Sequence, residues 1–157
     1  MRKLWALLAL VALPILLLPP AALAASKPPT KFVVVMRASD EVPLCEQATN
    51  AARGNAVFHV TDATAGTVKY KLVANNLPGD ITAAHIHQAP PGQPGTIVQP
   101  LALIAGATNG VIGRGTFTNA SLVAAMQADP AAYYVNVHSS VCTPGVIRGQ
   151  FGAQGKP

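Results

Sequence analysis

The sequence predicts an all-β fold, a Greek-key β-sandwich or barrel of about eight strands with one short helix near residues 119–128. Three observations predict it. Short β-branched or alternating runs recur at spacings of roughly ten to fifteen residues, turns rich in Gly, Pro and Asn separate them, and strong helix formers cluster in one place only.

In chain order, Phe32 to Met36 is a β-branched run. Ala56 to Val60 and Thr67 to Val73 flank a hairpin-like turn containing Asp62 and Gly66, and in the second of them Lys69 and Lys71 alternate with Val68, Tyr70 and Leu72, the pattern of a half-buried strand. Asn75 to Asp80 is a turn, and Ile81 to His87 is a strand. Ala89 to Gly95 holds three Pro and two Gly, so it is a loop. Further strands are expected at 96–104, 111–118, 132–138 and 145–151. Asn119 is suited to cap a helix over Ala120 to Ala128, which Asp129-Pro130 stops.

The 157 residues are 50% hydrophobic and 11% charged, which fits one compact domain and leaves no room for a second of ordinary size. Residues 1–24 have the organisation of a secretory signal peptide. Met1-Arg2-Lys3 is basic, Leu4 to Leu18 is apolar, and Ala22-Leu23-Ala24 is a small-x-small cleavage pattern. The apolar run is interrupted by Pro14 and ends at Pro19-Pro20, short of the ~20 residues of a spanning helix, so no membrane span is expected after cleavage. The first cysteine is Cys45, which gives no support to a lipid anchor. The protein is therefore expected to be secreted or periplasmic, with a Pro-rich leader at 25–30, a domain at 31–152 and a tail at 153–157. Without Arg2 and Lys3 the net charge falls from +5 to +3, and no run of Lys or Arg exists, so a nucleic-acid partner is not expected.

Both cysteines, Cys45 and Cys142, fall in the exported part, where an oxidising compartment favours a disulfide between them. Two buried free thiols or a soft metal site are the alternatives. The histidines carry the chemistry. His85 and His87 are one residue apart in a strand, so a period of two sends both imidazoles to one face and Ile86 to the other. His138 leaves its own strand on the face of Asn136, opposite Val135 and Val137. Three imidazoles with an open position form a plausible Cu or Zn site, against the plainer reading of hydrogen-bonded strand-end histidines. His59 is a candidate fourth ligand if its strand neighbours that of His85, although a structural histidine is the simpler reading. Gln88 and Asn136 are candidates to orient the rings. Arg148, the one charge in the last strand, suits a structural role on a buried carboxylate or a cluster of carbonyls. Asp40, Glu41 and Glu46 read as solvated loop charges. No G-x-S-x-G, P-loop, G-x-G-x-x-G or H-E-x-x-H is present, so an enzyme of those classes is not expected and no catalytic residue is assigned.

Three segments resemble the CHRD domain, the module named from chordin and found alone in exported bacterial proteins. They are Glu41-Val42-Pro43, Ala84-His85-Ile86-His87 with the Pro/Gly loop after it, and Tyr134-Val135-Asn136-Val137-His138 leading to Pro144-Gly145-Val146-Ile147-Arg148-Gly149-Gln150. The resemblance spans about residues 31–152 and implies an extracellular binding module whose partner is unknown. A more distant similarity, in the order of H-x-H, long loop, late His and Cys, is to copper–zinc superoxide dismutase, and it implies His85, His87 and His138 as copper ligands. Between Gln88 and Thr108 there is no His or Asp, so the bridging imidazole and the zinc ligands of those enzymes have no counterpart. The leading expectation is an exported CHRD module that holds one Cu or Zn. A copper-dependent oxidoreductase of dismutase type and a metal-free protein-interaction module are the alternatives.

Overall fold

A computed structural model describes residues 27–152, so the signal-like segment 1–24 and the tail 153–157 lie outside the described residues. Eight strands follow one another: β1 Lys31–Arg37, β2 Arg53–Asp62, β3 Thr67–Asn75, β4 Ile81–Gln88, β5 Thr96–Pro100, β6 Gly110–Thr118, β7 Tyr133–Ser139 and β8 Ile147–Gln150. One α-helix, α1 Ala120–Ala128, lies between β6 and β7, and Asn119 caps it by accepting from the Leu122 amide. No helix among the described residues is long and apolar enough to cross a membrane. Order begins slightly earlier than Lys31, since the carbonyls of Pro29 and Thr30 accept from Gln127 Nε2 and the Val60 amide.

The strands form one antiparallel sheet in the order β5-β4-β7-β8-β1-β2-β3-β6. Its two ends meet where the chain beyond β5 pairs with β6, through a bridge between Leu103 and Gly113 and a bond from the Ile104 amide to the Ile112 carbonyl. The sheet thus curls towards a closed barrel, and β4, β5, β6 and the returning β7 trace a Greek key. The seam divides the single strand expected at 96–104. Pro100 has no amide hydrogen to extend the ladder, so β5 stops there and the chain crosses to β6. Gly113 permits the crossing, because a Cβ there would stand 2.7 Å from the Ala102 carbonyl oxygen.

The interior is filled by the alternating residues. Gly54, Ala56, Phe58 and Val60 of β2 and Val68, Tyr70, Leu72 and Ala74 of β3 are buried, while Lys69 and Lys71 face out. Phe58 packs its ring 5.1 Å from that of Phe151, and Phe32 meets Phe151 edge-on at 5.6 Å. Strand β7 departs from alternation: all seven of its residues are buried. Its inner face, Val135 and Val137, joins this core, and its outer face lies under the loops 89–95 and 139–146. The second of these loops is tied to the irregular segment after β1 by a disulfide between Cys45 and Cys142, whose Cα atoms are 5.7 Å apart and which are separated by 97 positions in sequence.

Candidate metal centre

The site is built on the outer face of β4 and β7, and strand register assembles it. His85 lies opposite Asn136 and His87 opposite Tyr134. His138 is therefore the diagonal neighbour of His85, a separation that long side chains can span. His85 Nδ1 lies 3.1 Å from His138 Nε2, and one ring nitrogen from each of His85, His87 and His138 falls within 4.8 Å of the others. These residues form a cluster able to hold a metal ion among the described residues.

Backbone carbonyls orient two of the rings. His87 Nδ1 donates to the Gly95 carbonyl at 2.9 Å, and His138 Nδ1 donates to the Thr143 carbonyl at 2.9 Å. A neutral imidazole that donates through Nδ1 carries its lone pair on Nε2, so both rings turn a bare Nε2 towards the cluster. The Nε2 of His87 is buried and has no hydrogen-bond partner. Burial holds the proton affinity of His85 down to about 4, reinforced by the neighbouring His138 and His87. Burial also lowers that of His87, outweighing the Gly95 hydrogen bond, with His138 and Arg148 adding to the effect. Both rings are consequently neutral, the ligating form, at pH 7.

A stack supports His87 from behind. Tyr134 lies on its ring at 4.7 Å with planes 12° apart, and the Arg148 guanidinium carbon sits 3.4 Å above the Tyr134 centroid. Arg148, 2% exposed, donates to the carbonyls of Gln93 at 2.7 Å and Pro90 at 3.2 Å and to Gln150 Oε1 at 3.1 Å. Those bonds pin the Pro/Gly loop, whose Gly95 amide in turn donates to the Tyr134 hydroxyl. Sequence reasoning did not identify the Gly95 and Thr143 carbonyls or the Tyr134 stack, because a carbonyl leaves no trace in residue identity.

Three sequence expectations are corrected. His59 is exposed on β2, paired between Lys31 and Lys69, with β1, β8 and β7 separating it from β4, so it stands apart from the cluster. Gln88 is exposed and bonds no ring, because a period of two places it on the Ile86 side of its strand. Asn136 shares the outer face, but its Nδ2 donates to the Pro144 carbonyl and Glu41 Oε1 and not to a histidine.

Glu41 reverses the reading of a solvated charge: it is 3% exposed, and both its Oε2 and Asn136 Oδ1 are buried without partners beside Gly145. A side chain on Gly145 would strike both groups, and its φ of +149° suits glycine. Burial pushes the Glu41 carboxyl up to about 7, against the opposing pull of the Val42 amide, the Arg148 guanidinium and Asn136. The value in the fold lies above that of the open chain, so the stability this group contributes is full below about pH 4.5 and is lost as pH rises through 7. Glu41→Gln is therefore expected to raise the unfolding free energy at pH 8 by up to ~3 kcal/mol and to change little at pH 4. Urea titrations at both pH values read this directly, and equal effects at the two would refute burial of the charge as the cause.

The comparisons agree with the position of the motifs. The profile of the CHRD domain matches residues 32–151. No curated protein and no solved structure matches the chain. Because the match runs from β1 through the residue that follows β8, and so includes all three clustered histidines, the chain belongs to the CHRD-domain family.

Proposed function

We propose that the protein is an exported CHRD module that binds one Cu or Zn ion through His85, His87 and His138. The observation that carries this reading is the buried, unpartnered Nε2 of His87, facing two further ring nitrogens with its own Nδ1 anchored on Gly95. A buried acceptor without a partner costs about 1–3 kcal/mol, which a bound cation removes. The donor set is all imidazole, with no carboxylate in the cluster, and suits Cu or Zn better than Ca or Mg. Metal–nitrogen bonds of about 2 Å place ligand nitrogens at most ~4 Å apart, so the widest pair closes by under ~1 Å through ring rotation. Without an ion, His85 Nδ1 donates to His138 Nε2; ligation through that atom requires only that the neutral His85 move its proton to Nε2.

Export is supported by the signal-like 1–24 and by the Cys45–Cys142 bond, which belongs to an oxidising compartment, secreted or periplasmic. The domain at 31–152 then acts outside the cytoplasm on a partner of its own.

Calorimetric titration of the chelator-treated protein with Cu(II) and with Zn(II) tests the reading. One equivalent is expected to bind. His87→Ala and His138→Ala should each weaken binding by more than about 100-fold, since each removes a ligand itself and losing only an outer partner already costs about ten- to hundred-fold. Unchanged affinity in both variants would leave the cluster a set of hydrogen-bonded histidines and the protein a metal-free interaction module.

A further inference from the structure

On the outer surface of the sheet, strand register sets Arg37 of β1, Arg53 of β2 and Asn75 of β3 in one transverse row, three strands and more along the sheet from β4. Like charges directly opposite one another across a ladder are unfavourable, and this pair is only partly compensated. Arg37 reaches Asp40 at 3.8 Å in an exposed contact, a geometry worth little, and Arg53 has no ion pair among the described residues. The row forms the wall of a concave site of about 560 Å³, within the range of small-molecule sites. Asn50, Asn55 and Ser39 add polar groups to the lining, Val35, Ala38 and Gly54 complete it, and no acidic residue contributes. Asn75 Oδ1 accepts from the Gly110 amide, which leaves its Nδ2 as a donor free of any other bond among the described residues.

We propose that this site binds a small hydroxylated carboxylate, a sugar acid. Two guanidiniums present planar forks that match a carboxylate in two-point contact. The carboxamides of Asn50 and Asn55, each both donor and acceptor, and the Nδ2 donor of Asn75 suit the hydroxyls of a pyranose ring. The lining is too polar for an apolar ligand. Asp40 is the competitor: its carboxylate already holds Arg37 and accepts from the Ser39 hydroxyl at 3.3 Å, so the ligand displaces it. The site is separate from the histidine cluster, and its occupancy does not depend on a metal.

Amide NMR of the full chain, titrated with D-glucuronate, D-glucose and inorganic phosphate in about 0.1 M NaCl to screen long-range charge, tests the proposal. Glucuronate is expected to give saturable shifts confined to the amides around Arg37, Arg53 to Asn55 and Asn75, and glucose none. Arg53→Ala should weaken glucuronate about ten-fold, the value of one charged hydrogen-bonding contact, while Asp40→Asn should tighten it by removing the competitor. Both side chains are exposed, and an otherwise unchanged spectrum shows each variant folded. No saturable shift with glucuronate, or the same affinity in Arg53→Ala as in the parent, would overturn the proposal. An equal response to inorganic phosphate would overturn it too, since a bare charge site recognises no hydroxyls.

Discussion

Replacing Cys45 and Cys142 together by alanine is expected to lower the unfolding free energy by ~2–5 kcal/mol and to weaken metal binding about ten-fold. The stability loss has two sources. A bond across 97 residues restricts the unfolded chain, and it anchors the segment between β1 and β2, which has no core of its own: Leu44 is 64% exposed. The effect on the metal follows from what Cys142 holds. Ser139 and Cys142 close a tight turn by bonds between their amides and carbonyls, and the two residues after it present the Thr143 carbonyl to His138 and the Pro144 carbonyl to Asn136. Freed from Cys45, that turn no longer fixes the His138 ring with its Nε2 towards the cluster. Denaturant titration of the two proteins and calorimetry with the same metal measure both effects. A variant as stable as the parent would show that the segment after β1 is held by packing alone.

Arg148→Ala is expected to cost ~3–5 kcal/mol, the range for removing one member of a buried charged network. Three hydrogen bonds vanish at once, to Gln93, Pro90 and Gln150, along with the stack on Tyr134. Glu41 loses the guanidinium that offsets part of its burial, so its carboxyl moves further up. The loop 89–95 loses its main anchor, and with it the Gly95 carbonyl that orients His87. Arg148→Lys should recover little, because an ammonium is neither a fork for two carbonyls nor a plane for the tyrosine ring. Hydrogen exchange at the Gly95 amide, bonded to the Tyr134 hydroxyl, should accelerate in both variants. Full recovery by lysine would reduce the role of Arg148 to its charge.

Much of the fold was legible in the sequence because it rests on local chemistry. Alternation in β2 and β3 marks the buried side, Asn119 and Pro130 bracket α1, and the single residue between His85 and His87 puts both rings on one face. Nothing local announces that the strand after the Pro/Gly loop divides at Pro100, since that depends on the seam with β6.

By itself, then, the sequence determined an all-β domain with the CHRD motifs and two imidazoles aimed together from one strand, because side-chain direction in a strand follows from covalent geometry. The tertiary structure alone decided the rest. Antiparallel register between β4 and β7 brought His138 diagonally onto His85, and the strand order left His59 four positions away from β4 along the sheet. Loops folded over the outer face of β7 buried Glu41, Asn136 and Arg148, and supplied the carbonyls that orient His87 and His138. These depend on contacts between residues tens of positions apart, whose free energy comes from desolvation and hydrogen bonding across the fold, and no local periodicity encodes them.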